Sequence, residues 1–223
     1  MQQSLFGNLM AVAEPEAPAK SIDGKTPLSE AIFTVIDCET TGLSAKKNSL
    51  TEVCAIQFQN GKEIAKYTTL IKPAESISAE VTAITGITDE MVQNAPALVT
   101  VLGELCNFIG PSPILVGHNV QFDIRFITEK LQQSGMTSFL SRINPETAFC
   151  TKALAVKILP GLPSYEGIVV ATTCGVTNPN AHRAEHDVRM TGETLFALIK
   201  KQQEKDGTLK TIQDLRTFQG DLK

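Results

Sequence analysis

Apolar and polar residues near the start of the folded region recur with the period of β-strands. An apolar, β-branched run at 31–36 predicts a strand that is buried on both faces. Two further strands are predicted at 50–59 and 63–72. Asn60-Gly61 between them is a strong hairpin signal, because both residues tolerate positive φ. The sheet therefore begins with an antiparallel pair of strands.

The pattern then changes to helical periods separated by short strands. Residues 79–109 have helical character that is broken at Gly86 and Pro96. The later predicted elements are a strand at 114–117, a helix at 122–131, a strand at 143–150, and helices at 152–159 and 183–202. A mixed sheet that opens with a hairpin and then alternates with helices indicates the α/β class.

The two ends of the chain lack these periods. Residues 1–27 are rich in Ala, Pro, Glu and Lys, which predicts a flexible tail. Residues 28–203 contain all the predicted elements and form one domain. Residues 204–223 are polar, and we expect a short C-terminal appendage there. A chain of 223 residues that is 42% hydrophobic is large enough for one domain with a substantial core.

Composition narrows the functional class. A formal net charge of -4 argues against a protein that coats nucleic acid by bulk electrostatics, but not against an enzyme that meets nucleic acid locally. The 5 cysteines occur singly, which disfavours a zinc site or disulfide framework and favours a reducing, cytoplasmic setting. No apolar run is long enough to cross a bilayer, and residues 1–13 lack the basic region of a secretory signal.

Carboxylates stand at the ends of several predicted elements. Acidic pairs with one residue between them occur at four places, so this spacing alone carries no weight. Only Asp37/Glu39 ends a continuous apolar strand, where the period of two puts both side chains on one side. Two like charges there destabilise the fold unless a cation neutralises them, or unless the strand has already reached solvent.

Asp123 and Asp187 fall in the first turns of two predicted helices. Acidic residues also stabilise helix N-termini, so each of these aspartates is weak evidence when taken alone. However, the ends of the elements of an α/β sheet gather at one edge, where ligands usually bind. The four carboxylates therefore predict a single site.

Three motifs resemble those of the DEDD exonuclease superfamily. They are Asp37-Cys38-Glu39-Thr40-Thr41-Gly42, His118-Asn119-x-x-Phe122-Asp123 and His182-x-x-x-x-Asp187. The histidine five residues before the last aspartate resembles the DEDDh subgroup, which includes the proofreading subunit of bacterial replicative DNA polymerase and ribonuclease T. The likeness covers about residues 31–200. Gly167 and the β-branched residues after it depart from the amphipathic helix that is usual at 164–175.

The resemblance implies a ribonuclease-H-like fold, with a mixed five-stranded sheet and helices on both faces. It implies a 3′–5′ exonuclease in which two Mg²⁺ or Mn²⁺ ions are held by Asp37, Glu39, Asp123 and Asp187. The expected substrate is the 3′ end of single-stranded DNA, in replication proofreading or repair. An RNA-trimming exoribonuclease and a catalytically silent adaptor on the replication machinery are the alternatives.

Three histidines compete for the role of general base. His182 is the preferred candidate because it could face the metals from the loop before the predicted helix at 183–202. An unperturbed imidazole pKa of about 6.5 also suits proton transfer at neutral pH. His186 would point about 100° away from Asp187 on the helix and into solvent. His118 could contact substrate or make hydrogen bonds within its turn, and we favour the second interpretation.

The resemblance also assigns a substrate pocket. The pocket for the terminal nucleotide would be lined by Thr40, Thr41, Gly42 and Leu43, with Leu43 packed against a base. Asn119 and Phe122 would shape the same wall, although Phe122 also fits core packing at its helical period.

A second signal lies in the predicted tail. The peptide Gln2-Gln3-Ser4-Leu5-Phe6 resembles the short motif by which bacterial replication and repair proteins dock into the sliding clamp. Gln2, Leu5 and Phe6 would make the contacts, because adjacent apolar anchors can offset the entropy lost when an unfolded peptide becomes ordered. The expected partners are therefore nucleic acid 3′ ends and a sliding clamp or polymerase.

Overall fold

The computed structural model describes residues 23–177 and 183–220. Its centre is a five-stranded mixed sheet with the spatial order β3-β2-β1-β4-β5. The strands are β1 (Ile32–Thr40), β2 (Leu50–Gln59), β3 (Lys62–Leu70), β4 (Ile114–Gly117) and β5 (Phe149–Cys150). The pairs β1–β2 and β2–β3 are antiparallel, while β4 and β5 continue the sheet in parallel from β1. The predicted α/β class and mixed sheet are confirmed.

Helices cover both faces of this sheet, as expected. They are α1 (Ala79–Thr85), α2 (Asp89–Val92), α3 (Leu98–Ile109), α4 (Gln121–Gln133), α5 (Thr151–Ile158), α6 (Gly167–Thr173), α7 (Ala184–Asp206) and α8 (Ile212–Gln219), with a 3₁₀ turn at Thr137–Arg142. α3 and α4 share a core with one face of the sheet, and α5 to α8 share a second core with the other. The helix at 167–173 forms despite its glycine and β-branched residues, because Val170 and Ala171 are buried.

The turn between β2 and β3 shows why the early strands pair as they do. Asn60 has φ 48° and Gly61 has φ 75°, the left-handed conformations that a tight hairpin requires. The antiparallel start of the sheet is therefore confirmed. On its other side β2 pairs with β1, in a register that sets Asp37 opposite Cys54 and Glu39 opposite Glu52.

Two strand lengths differ from the sequence prediction. β1 continues past residue 36 to Thr40, so that Asp37 and Glu39 lie within the strand. The strand predicted at 143–150 is reduced to Phe149–Cys150, because only Val116 and Gly117 of the short β4 lie opposite it. The 3₁₀ turn precedes it.

The structure corrects the prediction of a polar appendage at 204–223 for the residues that it describes, 204–220. α7 continues to Asp206, and α8 packs against α5 and β5. The apolar side chains of Leu209, Ile212 and Leu215 are buried in the main core. These residues lie three apart, so the segment is amphipathic although its composition is polar. Residues 204–220 therefore belong to the folded domain.

The described part of the N-terminal segment contacts the residues just before α8. Pro27 forms an isolated antiparallel bridge with Thr211, and Leu28 N donates to the carbonyl of Lys210 at 2.9 Å. The rest of the predicted tail, residues 1–22, lies outside the described residues. Within the described ranges, none of the helices combines the length and apolar character that crossing a membrane requires.

Candidate metal centre and substrate cleft

Three of the four predicted carboxylates meet at one edge of the sheet. Asp37 and Glu39 project from the same side of β1, and Asp187 lies in the first turn of α7, which packs across β1 and β2. One carboxylate oxygen from each of the three lies within 4.8 Å of the other two. Oxygen ligands at this spacing fit a hard divalent cation such as Mg²⁺ or Mn²⁺.

The fourth carboxylate, Asp123, lies beside this group in the first turn of α4. It is only 3% exposed, and its Oδ1 accepts a hydrogen bond from the backbone N–H of Cys38 at 3.0 Å. That bond ties α4 to the strand residue between Asp37 and Glu39. Asp123 therefore has one oxygen fixed by the backbone, and its carboxylate lines the same cleft as the other three.

The electrostatics of the group are dominated by burial and by the repulsion between neighbouring acids. Burial raises the pKa of Asp37 well above its ordinary value, and the charges of Asp123 and Glu39 raise it further. Burial, followed by the charge of Asp187, raises the pKa of Glu39 to about 7. Burial also raises the pKa of Asp123 to about 8. Bound cations would relieve both the repulsion and the desolvation.

A cleft of about 740 Å³ opens over these carboxylates. Besides the four acids, it is lined by Cys38, His118, Asn119, Phe122, Lys152, Tyr165, Glu166, Gly167, Ile168, Met190 and Thr191. Asn119 adopts a left-handed φ of 64° at the start of α4. Phe122 also packs against Phe126, with ring centroids 4.9 Å apart, so its ring belongs to both the core and the cleft wall.

The other predicted substrate residues are Thr40, which ends β1, and Thr41, Gly42 and Leu43 in the loop after it, and none of them is among the described residues lining this cleft. Thr40 is buried, and its hydroxyl donates to the carbonyl of Gly42 at 2.7 Å. A side chain at Gly42 would meet Asn48 at 2.8 Å, so the loop is tightly folded there. Leu43 is 81% exposed and is the most exposed large apolar residue in the described structure.

The histidines have separate placements. His118 Nε2 donates to the carbonyl of Tyr165 at 2.9 Å, and its Nδ1 lies 2.9 Å from the hydroxyl oxygen of Thr151. Both ring nitrogens therefore have partners outside its own turn, and His118 also lines the cleft, so the choice between a structural role and a substrate contact stays a prediction. Burial lowers the pKa of His118. His186 is partly buried rather than fully solvated.

Two sequence predictions lie outside the described residues. One is His182, the candidate base, which falls in the gap at 178–182. The other is the peptide containing Gln2, Leu5 and Phe6. Both stay predictions.

An ion pair that no local sequence pattern indicated lies beside the site. Glu52 is buried opposite Glu39 on β2, and its Oε1 accepts from Arg183 Nη2 at 2.8 Å. Its Oε2 also accepts from the N–H of Ala184, the first residue of α7, at 3.1 Å. Glu52 is the one charged residue in the apolar run of β2, which was the available signal in the sequence. Its partner could not be predicted, because it lies 131 residues away.

Comparison with known proteins agrees with this geometry. Residues 34–195 match the exonuclease family named RNase T. The chain is 32% identical over 182 residues to the DNA polymerase III subunit epsilon of Aquifex aeolicus, covering 82% of this chain and 87% of that protein. It is also 32% identical over 215 residues to the PolC-type DNA polymerase III of Streptococcus sanguinis, covering 96% of this chain but only 14% of that protein.

Solved structures show the same fold. Exonuclease X, determined in complex with 5′ overhanging duplex DNA, superposes with a TM-score of 0.60 at 24% identity, covering 84% of this chain and 99% of that one. Exonuclease I of E. coli, determined with a dA16 oligonucleotide, gives a TM-score of 0.66 at 20% identity, covering 81% of this chain and 42% of that one.

Proposed function

The chain belongs to the exonuclease family, and from that premise we propose that it is a metal-dependent enzyme that removes nucleotides from the 3′ end of DNA. The observation that carries this proposal is the meeting of Asp37, Glu39 and Asp187 within 4.8 Å, with Asp123 beside them. The names of the polymerase III relatives support DNA over RNA and favour a role in proofreading or repair.

The four carboxylates would together hold two divalent cations, Mg²⁺ or Mn²⁺. All the proposed protein ligands are oxygens. Burial first, and repulsion between the acids second, raise the pKa values of Asp37, Glu39 and Asp123, and bound positive charge would offset both effects. When bound, such ions supply acidification of the attacking water and stabilisation of the charge on the leaving 3′ oxygen.

The chain's own residues would orient the reaction. Asp123 is fixed by the N–H of Cys38, which supports a constant geometry between α4 and β1. His182 is proposed as the general base, which takes the proton of the attacking water. It precedes Asp187 by five residues and Ala184, the first residue of α7, by two.

The loop that follows β1 and the wall of the cleft would bind the terminal nucleotide. Leu43 offers an exposed apolar side chain that would pack against a base, and Thr40, Thr41 and Gly42 would lie around it. Asn119 and Phe122 would contact the same nucleotide from the cleft wall. A pocket of this kind favours a terminal nucleotide that is unpaired, and hence single-stranded ends.

A direct assay tests the function. A DNA oligonucleotide labelled at its 5′ end should shorten stepwise with Mg²⁺ or Mn²⁺ and stay intact with EDTA. An RNA oligonucleotide of the same sequence should shorten more slowly. Faster loss of RNA would favour the exoribonuclease alternative, and no shortening of either strand would favour a silent adaptor. Immediate release of the labelled 5′ nucleotide would contradict the polarity.

We also propose a docking role for the N-terminal peptide on a sliding clamp. Gln2, Leu5 and Phe6 match the chemistry of a short peptide that inserts a polar and two apolar anchors into a pocket. A binding titration of the clamp should give weaker affinity for the variant Leu5→Ala/Phe6→Ala than for the parent. The matched control is Leu9→Ala/Met10→Ala, which removes two apolar side chains outside the motif. Equal affinities of all three proteins would end this proposal.

A further inference from the structure

A single carboxylate fastens both ends of the loop between β1 and β2. Glu75, in the segment after β3, accepts hydrogen bonds at Oε1 from the Thr41 hydroxyl and from the N–H of Ser49, the latter at 2.8 Å. Its Oε2 accepts from the Ser49 hydroxyl at 2.7 Å. Thr41 and Ser49 are the first and last residues of the loop 41–49, so Glu75 joins the loop's two ends to each other and to a third segment.

Other bonds close the same junction. Thr41 N donates to the carbonyl of Ser49 at 2.9 Å, and Ser49 N also donates to the Thr41 hydroxyl at 2.9 Å. The Ser49 hydroxyl oxygen in turn accepts from the N–H of Ala74 at 3.2 Å. Burial acts to raise the pKa of Glu75, but the hydrogen bonds from Thr41 and Ser49 outweigh it and lower that pKa. The junction is therefore built around an ionised carboxylate at neutral pH.

The rest of the loop is held by hydrogen bonds within it and by one from α4, in which Gln133 Nε2 donates to the carbonyl of Lys46 at 3.3 Å. Ser44 N donates to the side chain of Asn48 at 3.0 Å, and the backbone N–H groups of Lys47 and Asn48 donate to the carbonyl of Ser44. Ala45 is buried beneath this turn. The turn is thus a compact unit, and its orientation relative to β1 is set by the ties at its two ends together with the contact from Gln133. Leu43 projects from this unit into solvent.

We infer that Glu75 is a positioning residue that holds Leu43 in the orientation in which it packs against the terminal base. This inference rests on the proposed function, in which Leu43 packs against that base. Glu75 would touch neither substrate nor cation. Its removal should loosen the loop and weaken substrate binding, while the reaction of a correctly bound substrate proceeds at its normal rate.

The variants Glu75→Ala and Glu75→Gln separate this role from general stability. Alanine removes every acceptor, whereas the glutamine oxygen can still accept from Ser49 and Thr41. We expect Glu75→Ala to raise the KM for a single-stranded oligonucleotide about five- to tenfold with kcat changed less than about twofold, and Glu75→Gln to lie between it and the parent. The matched control is Glu146→Ala, which removes an exposed carboxylate far along the chain. A loss of kcat at unchanged KM would overturn the inference.

A second readout does not depend on activity. Lys46 and Lys47 are exposed within the loop and are sites for trypsin. In the metal-loaded protein, Glu75→Ala should be cut there several times faster than the parent and than Glu146→Ala. Equal cleavage rates in the three proteins would overturn the inference even if the exonuclease proposal stood.

The variant Leu43→Ala makes the two proposals distinguishable. If Leu43→Ala leaves KM unchanged, the proposed substrate role of the loop fails, and the inference about Glu75 fails with it. If Leu43→Ala raises KM, Glu75→Ala should add little in that background, because both changes act through the same side chain. Additive effects of the two variants would contradict action through Leu43 while leaving the proposed substrate role intact.

Discussion

Two acids in the first turn of α7 have opposite surroundings. The carboxylate of Glu185 lies 2.7 Å from Lys66 Nζ and 2.6 Å from Arg189 Nη1. Asp187, two residues later, joins the carboxylates of Asp37 and Glu39. The hydrogen bond from Lys66 lowers the pKa of Glu185, whereas burial and neighbouring acids raise the pKa of Glu39. The pairs Glu185/Asp187 and Asp37/Glu39 have the same spacing along the chain, so spacing does not distinguish these acids. Their contacts with other parts of the fold decide their roles.

The same division extends over the sheet. Glu52 on β2 pairs with Arg183, and Glu63 on β3 pairs with Arg189 at 3.0 Å, so β2 and β3 are joined to α7 and its N-cap by acids that meet bases. At the carboxyl end of β1, acids meet acids. Paired carboxylates connect elements of the fold, whereas the crowded carboxylates repel one another until a proton or a bound cation neutralises part of their charge.

The largest effect is expected from the near-isosteric change Asp187→Asn. It removes one proposed cation ligand, and we expect turnover of a DNA oligonucleotide to fall about 10³-fold, because metal stabilisation of the transition state is worth several kcal/mol and each 1.36 kcal/mol is a factor of ten. Turnover above about a tenth of the parent value at saturating Mn²⁺ would contradict the assignment.

The pH dependence of stability should differ between the two regions. The folded pKa of Glu39, about 7, lies above its ordinary value of 4.5, so in EDTA the folded protein holds protons that the unfolded chain has lost. The free energy of unfolding should therefore fall by about 1–3 kcal/mol as pH rises from 5 to 8. Glu185 acts in the opposite direction, since its lowered pKa contributes stability that is complete above 4.5 and is lost as pH falls below it.

Urea unfolding at several pH values, with EDTA and then with Mg²⁺, measures this dependence. Mg²⁺ should restore stability most at pH 8, where the carboxylates are ionised. Glu39→Gln should flatten the profile in EDTA. A profile in EDTA that is unchanged by Glu39→Gln would show that the crowded acids do not control stability in this range.

Breaking the paired region should destabilise the fold more moderately. Arg183→Met leaves the buried carboxylate of Glu52 with the N–H of Ala184 but without its cation. Because Arg183 itself is partly exposed, we expect a loss of about 1–3 kcal/mol, between the values for surface and fully buried pairs. Urea unfolding measures it. The double variant Glu52→Gln/Arg183→Met should recover part of the loss, and a single variant as stable as the parent would refute the pairing.

Local sequence signals predicted much of the fold and three carboxylates of the site's core. The Asn60-Gly61 turn, the short apolar strand at 114–117 and the apolar run before Asp37 are each encoded by residues next to one another. Their chemistry requires no knowledge of distant partners. The meeting of β1 with the start of α7 followed from the general rule that element ends gather at one edge of an α/β sheet.

The features that sequence did not predict depend on register and packing. The pairing of Glu52 with Arg183 depends on where β2 lies relative to α7, which neither segment encodes alone. Glu75 likewise acquires its role only when the loop after β1 folds against the segment after β3. The helix at 212–219 was missed because its polar composition concealed two buried apolar positions three residues apart, Ile212 and Leu215.

The smallest expected effect belongs to Glu185→Gln, the matched control for Asp187→Asn. Lys66 and Arg189 keep other contacts with solvent, and partly exposed ion pairs contribute about 0.2–1 kcal/mol, so stability should fall within that range. Turnover should change by less than about twofold, or less than half a kcal/mol in the barrier. The stability difference should shrink in 1 M salt, which screens exposed charges. A large loss of turnover in this variant would mean that position in the first turn of α7, rather than the partners that each acid meets, separates the two residues.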